Sequence, residues 1–183
     1  QRNFDMKHLY PNLALTALSL ALCCGAWAQK VLQPTELCRN NTASDIVTFA
    51  DPVLETAARE ALSLGPHDVF SCEQAGQLTT LRSVGGGARR SVSGSPEWVD
   101  PAHVFHDLSG IQNLAGLTNL ALPNRGLTDI SPLAELTELT HLNLHTNWIS
   151  DISPLGKLTN LVDLRIAENP LTDVRPLSDL TEL

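Results

Sequence analysis

Three successive segments of the chain superimpose when shifted by a constant twenty-two positions. They run from Leu117 to Leu133, from Leu139 to Leu155 and from Leu161 to Leu177. A period in this range predicts a solenoid, in which each turn is stable only when stacked on its neighbours. Within a turn, Leu142 and Leu144 alternate with polar residues, the pattern of a short strand with both leucines inward. Equivalent strands of adjacent turns would pair in parallel, about 4.8 Å apart. Leu139, Ile149, Ile152, Leu155 and Leu158 supply the other inward side chains. Seven such positions give a turn on the order of 10–20 kcal/mol before entropy is subtracted. That gain is realised only where the next turn covers them.

The polar positions of the repeat are equally periodic. Asn147 and Asn169 follow each strand at a tight corner, where an amide satisfies backbone groups that a buried turn leaves unpaired. Arg125 holds that position one turn earlier, so an asparagine ladder starts only at Asn147. Pro132, Pro154 and Pro176 suit the start of a short helical piece on the convex side. Ser131 and Ser153 are its expected N-caps, and Arg175 departs from that pattern. Asp129, Asp151 and Asp173 precede each proline by three residues and are read as local turn acceptors. A stacked calcium site would need 6–8 oxygens, which single carboxylates a strand apart do not supply.

Spaced L-x-x-L-x-L-x-x-N-x-L and continuing as Asn-x-Ile-x-Asp-Ile-x-Pro-Leu-x-x-Leu, this unit resembles the internalin-type, bacterial secreted class of leucine-rich repeats. The resemblance covers residues 105–183 well and the preceding cap more loosely. It implies an α/β fold: a solenoid with parallel strands on its concave face and a small helical N-terminal cap. It further implies a non-catalytic module that binds a protein or cell-surface partner and needs no cofactor. The concave face would then carry the polar residues between the strand leucines. These are Asn119, Ala121 and Pro123, then His141, Asn143 and His145, then Asp163, Arg165 and Ala167. His141 should lie between Asn119 and Asp163, where a carboxylate would favour a protonated imidazole and make affinity acid-sensitive. Trp148 follows its strand at the rim. It can anchor a partner or fold back over the corner.

Residues 1–28 read as a secretory signal, with cleavage expected after Ala28. Met6-Lys7-His8 is the basic start, Leu13–Leu22 the apolar run and Ala26-Trp27-Ala28 the cleavage site; Gln1–Asp5 lie upstream of the start methionine. The apolar run is shorter than the ~20 residues of a spanning helix, so no membrane insertion is expected after cleavage. Cys38 and Cys72 then remain, and in an exported chain an even pair predicts a disulfide. A metal site would want C-x-x-C spacing, which is lacking.

Residues 29–44 read as a polar lead-in, and 45–77 as the helical cap. In the cap, Ile46–Phe49 is a strand candidate. Asp51-Pro52 opens a helix, Gly65-Pro66 ends it, and Ser71-Cys72-Glu73-Gln74 has the form of a capping box. Residues 78–104 hold a first strand at Leu78 and Leu81, then a Gly/Ser-rich stretch. That stretch is either a degenerate turn, with Trp98 inward, or a looped-out excursion. Phe105, Leu108, Ile111, Leu114 and Leu117 resume the repeat phase up to residue 183.

The formal charge is −8. Loss of residues 1–28 leaves 10 basic against 19 acidic side chains, or −9, which disfavours nucleic acid and anionic membranes as partners. Arg82, Arg89 and Arg90 form a small basic island, read as a solvated loop, with docking to an acidic partner as the alternative. His103 and His106 are too loosely placed for a metal site. The chain has no G-x-S-x-G, H-E-x-x-H, P-loop or dinucleotide fingerprint. The alternative to a binding module is a spacer or substrate-presenting segment of a longer surface protein or enzyme. Leu183 aligns with Leu139 and Leu161, so further repeats are expected to follow it.

Overall fold

The repeat leucines go where their period sends them. The computed structural model describes residues 29–82 and 107–183, and in it all seven inward positions of the turn from Leu139 to Leu158 are at most 2% exposed. The expectations for the signal at 1–28, for the Gly/Ser-rich stretch and for Trp98, His103 and His106 lie outside the described residues.

Two helices lead into the sheet. Helix α1 spans Pro52–Ala61, and the Asp51 carboxylate caps it by accepting from the Val53 and Leu54 N–H groups. Helix α2 spans Cys72–Gln77 and starts with the complete Ser71/Gln74 capping box. Strands β1 (Thr80–Arg82), β2 (Asn119–Ala121), β3 (His141–Asn143) and β4 (Asp163–Arg165) follow, in a parallel sheet of order β1-β2-β3-β4. Leu81, Leu120, Leu142 and Leu164 share one register line. The step from β1 to β2 is 39 residues, against 22 from β2 to β3, yet the first two strands pair directly. The sequence step between these two paired strands is therefore nearly twice that of the repeats.

The asparagine ladder has the expected form. Asn147 Oδ1 accepts from the backbone N–H groups of Arg125 (2.9 Å) and Leu127 (3.1 Å). Its Nδ2 donates to the carbonyls of Leu122 (3.0 Å) and Leu144 (2.9 Å). Asn169 repeats this with Ile149 N–H and the Leu144 and Ile166 carbonyls. Arg125, in the ladder position one turn earlier, is buried at 2% exposure, and loss of solvation pushes its guanidinium pKa down.

On the convex side, tight 3-10 segments cover Ser131–Glu135, Ser153–Lys157 and Arg175–Leu177. Here the expected serine caps are corrected: Ser131 and Ser153 are the first residues of their segments and make no cap bond through the side chain. Asp129, Asp151 and Asp173 do that work, each accepting the N–H two residues on at 2.8–3.0 Å. A carboxylate at that offset closes a local turn, which a serine hydroxyl inside the helical segment has no geometry to do.

Residues 29–44 form a strap packed against the first turn, with Leu32 fully buried and the Leu32 N–H donating to the Ile46 carbonyl at 2.8 Å. Two buried side chains stitch it down: Gln112 donates to the Pro34 carbonyl, and Asn113 accepts from Cys38 N–H (2.7 Å) and donates to the Glu36 carbonyl (2.9 Å). Ile46–Phe49 makes only isolated bridges, Ile46 with Val31 and with Ser71, rather than a strand. The Cys38–Cys72 disulfide ties the strap to α2, with the Cα atoms 5.4 Å apart. Gly110 joins cap to repeats with φ +108, and an added Cβ would lie 2.6 Å from the Thr48 carbonyl, so only glycine fits.

Four carboxyls are held below their ordinary range by hydrogen bonds. Lys30 does this for Glu36, the Thr42 N–H for Asp45, the Ser153 N–H for Asp151 and the Arg175 guanidinium for Asp173. A carboxyl whose folded pKa is depressed contributes stability above its unfolded pKa and loses it as pH falls through the folded one. Thermal stability is therefore expected to hold from neutral pH down to about 4.5 and to fall progressively below about pH 4, read as Tm against pH. A Tm that rises on acidification through this window would contradict it.

Candidate functional site

A parallel sheet sends alternate side chains to opposite faces. The leucines on one side of β1–β4 fill the core, so the residues flanking them form the outer, concave face. Register arranges that face in rows. The first is Thr80, Asn119, His141 and Asp163; the second is Arg82, Ala121, Asn143 and Arg165. Pro123, His145 and Ala167 continue as a third row just past the strand ends, where Asn124 N–H donates to the His145 carbonyl and Thr146 N–H to the Ala167 carbonyl. All nine expected residues thus lie on one surface, and His141 stands between Asn119 and Asp163.

The first two rows surround a shallow depression of about 230 Å³. Ala121 is small and gives it depth. His141 Nδ1 lies 2.9 Å from the Thr140 hydroxyl. The Asp163 carboxylate that faces it is engaged by its own strand, with Arg165 Nη2 donating at 3.1 Å. Farther along, His145 Nε2 approaches Glu168 at 3.9 Å. The Asn143 side-chain oxygen Oδ1 accepts the His145 N–H at 3.0 Å, and the residue lines the depression.

The sequence singles out Arg82 only as part of a basic island with Arg89 and Arg90, either a solvated loop or a dock for an acidic partner, and does not put it on the concave face. It lies on β1 beside Ala121 and lines the depression. Among the described residues no carboxylate pairs with it. The signal was present: Leu78-x-x-Leu81 matches Leu117-x-x-Leu120, so Arg82 falls opposite Ala121. The 39-residue step to β2 hides this by breaking the count. Trp148, at the rim, is 45% exposed.

Among the described residues no cluster of His, Cys, Asp or Glu is arranged to hold a metal ion, and no helix is long and apolar enough to cross a membrane. The face carries polar and charged side chains on a sheet backed by buried leucines, with Arg82, Asp163 and Arg165 as the charges around the depression.

A sequence model of leucine rich repeats in two copies matches residues 115–157. No curated protein matches the chain. Among solved structures it is similar to an internalin, InlF, of Listeria monocytogenes. That similarity has 34% identity and a TM-score of 0.59, over 74% of this chain and 35% of the other. The functional domain of InlJ from the same organism matches at 24% identity and a TM-score of 0.57, over 73% of this chain and 26% of that one, and bears on the fold alone. The chain thus spans about a third of the first relative's length and a quarter of the second's.

Proposed function

Since the chain is an internalin-type leucine-rich repeat protein, we propose that it is an exported, non-catalytic binding module that takes a protein or cell-surface partner on its concave face. One observation carries the reading. Four strands in unbroken register hold their outward side chains over leucines that, in β1–β3, are at most 2% exposed. Such a surface is formed before the partner arrives. Little loop or side-chain ordering is lost on docking, so more of the contact energy appears as affinity.

The contact residues would be Asn119, Ala121, His141, Asn143, Asp163 and Arg165, with Pro123, His145 and Ala167 beside them. Trp148 would serve as a rim anchor. Export through residues 1–28, with cleavage near Ala28, would deliver the module to the cell surface or beyond. There the Cys38–Cys72 pair would remain oxidised.

Ala121→Trp fills the depression without touching the core. Labelled chain, titrated on a panel of intact bacterial and animal cells and read by flow cytometry, should lose at least about tenfold in affinity with this change. Lys157→Trp, on the convex side, should stay within about twofold. Both variants should melt as the parent does. Equal loss in the two, or loss only in the convex variant, would refute concave recognition.

A further inference from the structure

We propose that the partner segment is an extended, acidic peptide whose two carboxylates, about four residues apart, are received by Arg82 and Arg165. The inference rests on the concave-face reading and adds the chemistry of the ligand.

The second concave row begins and ends in arginine, with Ala121 and Asn143 between. Its polar atoms are mostly donors. Arg82 has no carboxylate partner among the described residues. Asn143 lines the depression with its side-chain oxygen taken by the His145 N–H. Arg165 binds Asp163 through Nε (3.4 Å) and Nη2 (3.1 Å), which leaves other guanidinium donors for a ligand. The one acceptor charge in the depression is therefore already engaged. A floor of this kind desolvates badly against an apolar or basic ligand and pairs well with carboxylates, for which a guanidinium fork is the best match.

Spacing adds selectivity. Arg82 and Arg165 are separated by three strand intervals, roughly 14 Å. An extended peptide advances about 3.3–3.6 Å per residue, so carboxylates about four positions apart span the gap. Such a peptide would cross the strands, with its middle residues over Ala121, where the surface is lowest.

The rest of the molecule argues against a long polyanion. The chain carries −8 overall, and the depression is positive only by the excess of two arginines over Asp163. A short acidic segment meets the positive row alone, whereas a sulfated polysaccharide would run on over repelling surface.

The test selects peptides from a random phage-displayed library on the oxidised chain. The enriched sequences are then synthesised and titrated by fluorescence anisotropy. Binding should require two Asp or Glu residues about four apart. Arg82→Ala and Arg165→Ala should each weaken it about tenfold, and Ala121→Trp should abolish it. Both arginines are exposed and outside the core, so loss of binding would not reflect unfolding. Peptides that Ala121→Trp blocks but neither arginine change affects would overturn the acidic-ligand proposal and leave the concave face as the binding site. Peptides indifferent to all three changes, or no enrichment at all, would count against both. Heparin fragments binding more tightly than any peptide, with the same arginine dependence, would replace the peptide with a polyanion.

Discussion

Replacement of Asn147 by alanine is expected to lower the unfolding free energy by about 3–5 kcal/mol, the largest loss for any polar residue of the repeats. The side chain is 3% exposed and serves four backbone groups from two turns: the Arg125 and Leu127 N–H groups and the Leu122 and Leu144 carbonyls. Removing it strands them where water cannot follow, and each unsatisfied buried group costs about 1–3 kcal/mol before relaxation. Aspartate is no substitute, because it keeps the acceptor, loses both donors and adds a buried charge. Asn169→Ala provides the internal comparison. Its bonds are alike, but the residue is half-buried, so water replaces part of what is lost. About half the effect is expected there. Urea unfolding followed by circular dichroism gives both numbers. An Asn147→Ala midpoint indistinguishable from the parent's would mean the corner is held by something other than its amide.

Loss of the Cys38–Cys72 disulfide should be comparable in size. The bridge closes a sequence separation of 34, for which chain entropy gives about 4 kcal/mol. Conversion of both cysteines to serine, or reduction with a thiol, should therefore lower Tm by about 8–16 °C for a chain of this length. The loss should begin locally. Without the bridge the strap is held by the Gln112 and Asn113 bonds, the Arg39–Glu135 ion pair at 2.7 Å and the burial of Leu32. Arg39 is largely exposed, so its pair adds little. Hydrogen exchange should speed first at the Leu32, Ile46 and Val47 amides and last at Leu142 and Leu144. Uniform acceleration across cap and repeats would show that the cap has no separate opening step.

The two effects fall on parts of the molecule that differ in legibility. The repeats could be read by counting. Leu117 through Leu161 lie at a constant phase, and burial of an apolar side chain depends mainly on which way its Cβ points. The Asn147 and Asn169 ladder followed from the same count, since a corner recurring every turn needs the same amide every turn. The cap was half legible. Asp51, Ser71 and Gln74 act within three residues of themselves, so their caps are written locally. The strap was not legible. Its partners, Gln112 and Asn113, lie 75–78 residues away in sequence, and the sequence suggested only a polar lead-in tied to the cap by the disulfide. The same limit misled the serine caps: Asp129 and Asp151 accept the N–H groups of Ser131 and Ser153, and each serine falls inside the segment it was expected to cap. Thr146 and Glu168 take left-handed φ values of 57° and 58° at the corners. Neither residue type advertises that, because stacking imposes it.

At the candidate site the division is sharpest. The periodic sequence by itself placed nine residues from Asn119 to Ala167 on one face, because parallel strands of equal turns must align in register. Only the tertiary structure brought Arg82 to that face, opposite Ala121 and in line with Arg165. The cause is a step of 39 residues from β1 to β2, against 22 in the repeats, across which the count along the chain does not carry. Hydrogen bonds between strands, not spacing along the chain, restore the alignment. The character of the concave surface therefore depends on a pairing that the Leu78-x-x-Leu81 pattern only hints at and that contact between strands establishes.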